Sequence, residues 1–506
     1  MKRLLSLLLC AIMLLTLCAC GQQASSADTT AAAEEDNTPK KALFTDVAYL
    51  PIGNDGMTYA ERRQLCLDFM NLQITANWKT NVDFSFLMST RRKVLKELKT
   101  DETYAGIFYQ SWGFGNIYRW LEYYDAETGI VDFKTAIEEH GGMDEDSPYA
   151  DPQYSELTGE LIFKKFRSMM TMGNQCTSSA CWSLGRVINS VAFGDTCDLT
   201  VYNGYIPVGC YTYGYEHEGK TYDALTIPAF GEKSEGNPLA YDTDDVIADM
   251  LEEKGPNAIF DCYAQLKPGD ILVNGGHAVM VKDLALFTGK DGSVDYSFSG
   301  IVAQEQVEAW TYQDAVDGVM HKQQGRDTFA YSFEQLQKQN YIPFTFVEFL
   351  DPSDPQDKAH LDYYNSFKDK IGGVKALYNT FDFTDEVHGD GVEKAVTYCT
   401  ATGDSITSDE FAAMVVGSNY SISDVFVTVT DGSGKELLKN VWRADFSNYR
   451  EVPMSSNKGS WETDSEGNLI PISDGIAQLA NGENTVTVTM QLCTGELLTA
   501  YQGILK

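Results

Sequence analysis

The stretch GNQCTSSACWSLGRVINS, residues 173–190, sets two cysteines, Cys176 and Cys181, at the start of an apolar run with helical spacing. Asn174 is a good N-cap, which puts Cys176 in the first turn of the expected helix. There, unpaired N–H groups and the helix macrodipole favour a thiolate. Counting from Cys176, the apolar residues Ala180, Leu184, Val187 and Val191 define a face that would pack against a sheet. Five helical residues turn through about 140°, so the two thiols cannot face one groove. If one is a nucleophile, the other is a small buried hydrophobe.

A cysteine nucleophile needs a base to take its proton and a polar group to orient that base. The chain has six histidines, and His277 alone stands in an apolar, strand-forming frame, GGHAVMV. It lies in LKPGDILVNGGHAVMVKDLALF, residues 266–287, where a turn at Pro268–Gly269 precedes two strand-like runs joined by Gly275–Gly276. Alternation puts His277 and Val279 on one face of the second run. VDYSFSGIVAQEQVEAW, residues 294–310, reads as the next strand after a turn at 289–292. Glu305 and Gln304 sit on it with opposite facing, so only one of them can reach an imidazole. Helical segments first and strands afterwards give an α+β class. The helical segments are two within 58–100 and one over 157–170. Short β-rich pieces over 198–230 and a helix at DDVIADMLEEKG intervene before the Pro268–Gly269 turn.

Taken in order, these pieces resemble the NlpC-like and CHAP peptidoglycan hydrolases, bacterial branches of the papain-like fold. Gln175-Cys176-Thr177 is similar to the Gln-Cys-Thr around the CHAP nucleophile. Leu266-Lys267-Pro268-Gly269-Asp270 followed by Gly276-His277 resembles the strand leading to the catalytic Gly-His. Gly106-Ile107-Phe108-Tyr109 looks like an upstream motif whose tyrosine helps build the oxyanion side of the cleft. Ala303-Gln304-Glu305-Gln306 falls where CHAP enzymes carry a Glu that orients the His. The resemblance covers roughly residues 100–310, with an insertion around 200–255. It implies a helix-plus-antiparallel-sheet domain with Cys176, His277 and Glu305 catalytic, and Tyr109 and Gln175 on the oxyanion or substrate side. Gln304 is the alternative third residue. Cys181-Trp182-Ser183 resembles the Cys-Trp-Ala of papain, with Gln175 six residues upstream, so Cys181 is the alternative nucleophile. The Gln-Cys-Thr match and the helix start favour Cys176.

The compartment follows from the N-terminus. MKRLLSLLLCAIMLLTLCACGQQ has two cations, an apolar run to Leu17 and small residues, a secretory pattern too short for a stop-transfer helix. Leu17-Cys18-Ala19-Cys20 resembles a bacterial lipobox, in which Cys20 becomes the lipidated N-terminus. This gives a signal peptide over 1–19 and, from composition, a disordered tether over 20–45. The hydrolase domain is expected over 46–345, a connector with one helix over 346–388, and an all-β domain over 389–506. That last domain reads as a sandwich from its period-two runs. A formal charge of −35 argues against nucleic-acid binding. The cysteines remaining after the signal are too sparse for a disulfide scaffold, though Cys399 and Cys493 could pair. No CxxC is present and His is scarce, so neither a metal nor a cofactor is expected. The expected function is a lipid-anchored hydrolase on the extracellular face of the cytoplasmic membrane, cleaving amides in peptidoglycan or another peptide. The alternative is a non-catalytic wall or glycan binder built on a degenerate domain of the same kind.

Overall fold

In a computed structural model, the described residues are 57–84, 97–109, 117–139, 173–188, 191, 204–209, 215–217, 219–222, 243–314, 318–368, 380–381, 395–444, 449–456, 470–492 and 495–506. The signal peptide, Cys20, the tether, most of the second helix expected within 58–100, the helix expected over 157–170 and Cys493 all lie outside them.

Helix α1, Tyr59–Thr75, opens with a capping box: Glu61 N–H donates to Thr58 Oγ1, and Thr58 N–H donates to the Glu61 carboxylate. It buries Cys66, Phe69, Met70 and Ile74. Helix α2, Cys176–Leu184, packs against both α1 and the sheet, and every one of its residues is buried. This corrects the one-faced helix read from its spacing: α2 has a wall on both sides.

A mixed sheet backs α2. Its strands are β1 (Asn77–Thr80), β2 (Tyr104–Ala105), β3 (Tyr124–Asp125), β4 (Ile130–Val131) and β5 (Ile206–Pro207). A separate hairpin, β6 (Tyr215–His217) and β7 (Lys220–Tyr222), follows. The sheet is completed by β8 (Ile271–Asn274), β9 (His277–Ala285), β10 (Gly300–Asp314), β11 (Met320–Ser332) and β12 (Ile342–Thr345). The order across it is β3-β4-β1-β2-β11-β10-β9-β8-β12-β5. Its centre, β11-β10-β9-β8-β12, is antiparallel throughout, while β11–β2 and β1–β4 pair in parallel. Strand β10 begins at Gly300, not Val294. Ahead of it, Asp295 folds into a turn in which its carboxylate accepts from Ser297 N–H and Oγ, so the polar residues there serve a turn.

The Pro-Gly-Asp turn before β8 is pinned to α1. Arg63 Nη1 donates to Asp270 Oδ1 at 2.8 Å, and Lys267 N–H donates to Asp270 Oδ2 at 2.7 Å, with both charged side chains nearly dry. Helix α3, Thr243–Lys254, precedes this turn as expected. Helix α4, Pro355–Phe367, is capped by Asp354 and buries Tyr363 and Tyr364 against Ile206, Val347 and Leu350.

Among its described residues, the C-terminal region is built of strands with short helical turns. A three-stranded sheet has the order β13 (Thr397–Cys399), β15 (Val415–Ser418), β18 (Glu451–Pro453). A five-stranded sheet has the order β14 (Ser405–Ile406), β20 (Leu497–Leu505), β19 (Thr485–Leu492), β16 (Ile422–Thr430), β17 (Glu436–Arg443). Along β16 and β19 the period-two pattern is realised: Val425, Val427, Val429, Val486, Val488 and Met490 are buried in alternation with more open residues. The class is thus α+β, with several sheets.

Candidate active site

Three elements converge on the start of α2. The first is the segment after β2, whose Tyr109 forms a parallel bridge with Asn174, while Asn174 N–H donates to Phe108 O at 3.0 Å. Gly173 makes this approach possible. Its φ is +121°, and a Cβ there would sit 2.2 Å from Phe108 O. Because Asn174 is spent on this junction and on Gln73 of α1, the N-cap falls on Gln175, one residue later than its sequence suggests. Gln175 N–H donates to Ser178 Oγ at 2.8 Å, and Cys176 becomes the first helical residue. Glutamines from the sheet hold the Tyr109 side in place: Gln324 Oε1 accepts Tyr109 N–H at 3.0 Å, and Gln306 Nε2 donates to Ile107 O at 2.6 Å.

The second element is β9, whose first residue is His277 after the two-glycine turn. The third is β10. Register slips in its pairing with both neighbours, between Val302 and Ala303 against β9 and between Ala303 and Glu305 against β11. Such bulges re-aim side chains. Here Glu305 reaches His277, with Oε2 2.7 Å from Nε2. Gln304 turns to the other side and donates from Nε2 to Asp327 Oδ1 at 2.9 Å. Of the two sequence candidates for the third position, Glu305 alone meets the imidazole.

With Nε2 engaged by Glu305, Nδ1 is the ring nitrogen left for Cys176, and the sulfur and imidazole are near enough to shift each other's proton affinity. Burial by itself would push the Cys176 thiol up. The hydrogen bond and charge of His277, followed by the N–H of Ala278, outweigh that and hold the thiol below its ordinary value. Burial would likewise push His277 down, but Cys176 and then Glu305 carry it up to about 9. Both directions favour the ion-paired form, a thiolate facing an imidazolium. Glu305 is only 1 % exposed. Its burial favours the neutral acid, yet His277, Tyr331 and Arg326 together hold the carboxyl below its usual range. Tyr331 OH donates to Oε2 at 2.9 Å and Arg326 Nη1 to Oε1 at 3.0 Å.

Tyr109 completes the arrangement. Its hydroxyl lies beside Cys176, and burial first, then the sulfur's charge, push the phenol up. Among the described residues, Gln175 Nε2 is buried without a hydrogen-bond partner. Cys181, by contrast, sits in the hydrophobic core at 2 % exposure. An open cleft of about 330 Å³ runs over the site, lined by Tyr109, His277, Glu305, Glu308, Arg326 and Tyr331 among others.

Sequence reasoning placed Cys176, His277, Glu305 and Tyr109 in one site, and the fold brings all four together. It missed Arg326 and Tyr331, because both lie on β11, a strand not singled out. Their only sequence signal is the polar–aromatic alternation of QGRDTFAYS. Cys399 is a free thiol on β13. Compared with protein-family models, with curated proteins and with solved structures, the chain finds no match.

Proposed function

We propose that this protein is a cysteine hydrolase that cleaves amide bonds in cell-wall peptides, held at the extracellular face of the cytoplasmic membrane by a lipid on Cys20. The observation that carries the reading is the thiolate-favouring Cys176 at a helix start, beside an imidazole whose far nitrogen is fixed 2.7 Å from a buried carboxylate. A Cys–His pair with an orienting third group is the arrangement that nucleophilic acyl transfer requires. The order Cys helix, His strand, carboxylate strand in an antiparallel sheet supports a papain-like architecture of the NlpC or CHAP type. The two C-terminal sheets support the sandwich reading of that region.

In this mechanism the Cys176 sulfur adds to the amide carbonyl carbon, and negative charge moves to the carbonyl oxygen. Donors at Cys176 N–H, Gln175 Nε2 and the Tyr109 hydroxyl are suited to receive that charge. Collapse of the tetrahedral species breaks the C–N bond, and His277 Nδ1–H gives its proton to the departing amine. The neutral imidazole then takes a proton from water, whose oxygen attacks the thioester and releases a carboxylic acid and the thiolate. Glu305 keeps its charge throughout and fixes the ring so that Nδ1 faces the sulfur. The test is digestion of purified muropeptides followed by mass analysis. The wild-type chain should convert a stem peptide into two fragments whose masses sum to the parent plus one water, and Cys176→Ala should leave it whole. Intact peptides with both proteins would favour a wall-binding lipoprotein without catalysis.

A further inference from the structure

Arg326 does more in this site than the proposed mechanism uses. Through Nη1 it holds Glu305 Oε1 at 3.0 Å, and its guanidinium stacks over the Phe329 ring at 4.3 Å, so its plane is fixed. Yet its side chain remains 30 % exposed, and it lines the same open cleft as His277 and Tyr109. Among the described residues, Nε and Nη2 have no hydrogen-bond partner, so a planar pair of donors stands at the cleft wall. A guanidinium needed only to neutralise Glu305 would gain nothing from that opening. Its remaining donors match the two oxygens of a carboxylate, the geometry in which charge-assisted pairs are strongest.

We infer that Arg326 is a specificity-determining residue that binds a free carboxylate of the substrate. The inference rests on the hydrolase reading above and narrows it to acidic peptides. Position along the substrate follows from the site's layout. The imidazole and the Glu305 carboxyl stand between the sulfur and the guanidinium. The carboxylate therefore belongs to a residue set apart from the scissile amide, at about 3.5 Å of reach per residue of extended chain. A peptide whose carboxyls are free is the matching ligand, and one whose carboxyls are amidated presents a neutral isostere without the charge. Glu308, also on the cleft wall, repels a carboxylate displaced toward its own side, which sharpens the register.

The experiment pairs one stem peptide carrying free carboxyls with the same peptide amidated at those carboxyls. Two readouts are taken: kcat/KM for cleavage, and protection of Cys176 from iodoacetamide by each peptide. Protection reports binding whether or not the bond is cut. With the wild-type chain the free acid should be favoured over the amide by roughly 10- to 100-fold in both readouts. Arg326→Gln should bring that ratio to about one, and Arg326→Lys should restore part of it. If Arg326→Gln lowers both peptides by the same factor, the arginine acts only through Glu305 and the inference is overturned. A wild-type ratio near one overturns it as well while leaving the hydrolase reading intact. Cys176 labelling no faster than an ordinary thiol, with neither peptide protecting, brings down both.

Discussion

Replacing Glu305 by Gln keeps the shape and an oxygen acceptor but removes the charge that His277 faces. His277 is carried from 6.5 to about 9 by Cys176 and Glu305 together, which corresponds to roughly 3 kcal/mol of preference for the imidazolium. The carboxylate is fully desolvated and 2.7 Å away, so a substantial share of that preference belongs to it. Its loss also leaves the Arg326 cation uncompensated near the ring, which acts in the same direction. The His277 pKa in Glu305→Gln should therefore fall, weakening proton binding by roughly tenfold or more. The assay is an NMR titration of imidazole-labelled protein, in which His277 is assigned among six histidines by a His277→Gln variant. The sign extends to stability. A group whose folded pKa is raised contributes fully below its unfolded value near 6.5 and loses that contribution as pH rises through about 9. The Tm deficit of Glu305→Gln should accordingly be largest near pH 6 and shrink above pH 9. A His277 that titrates near 6.5 in the native chain, or stays near 9 in the variant, would refute the reasoning.

Three further outcomes follow from the same geometry. Cys181→Ala should retain rapid labelling of Cys176 and cost only about 1 kcal/mol in urea unfolding, because Cys181 serves as core filler. Tyr109→Phe should reduce turnover on the order of 100-fold by removing a donor at the oxyanion side, while leaving the His277 titration close to native. Asp270→Ala strands the buried Arg63 guanidinium, and should cost about 3–5 kcal/mol in chemical denaturation.

The residues of the site were legible in the sequence because their signals are local. A cysteine at the head of an apolar run, and a histidine starting a strand after two glycines, need only near neighbours to be read. The choice between Gln304 and Glu305 needed alternation plus a bulge, and the bulge is a property of pairing with two other strands. The cap moved from Asn174 to Gln175 because Asn174 bonds to groups distant in sequence, at Phe108 and Gln73. The start of β10 was misread at Val294 because an aromatic and polar alternation serves equally for a strand and for the Asp295 turn. Arg326 and Tyr331 were out of reach for a similar reason: the Glu305↔Arg326 register joins two long strands. Nothing within β11 alone says that its polar residues surround a carboxylate on β10.

Everything rests on Cys176 being a thiolate at a pH where other cysteines are not. Competitive alkylation settles this directly: limiting iodoacetamide at pH 6, quenched over time, with every cysteine quantified by peptide mass. Burial holds Cys66 and Cys399 as thiols above their ordinary value, and Cys181 is enclosed in the core. The account predicts that Cys176 is modified at least tenfold faster than any of them, with His277→Ala abolishing the difference. Equal, slow modification of all the cysteines at pH 6 would contradict it.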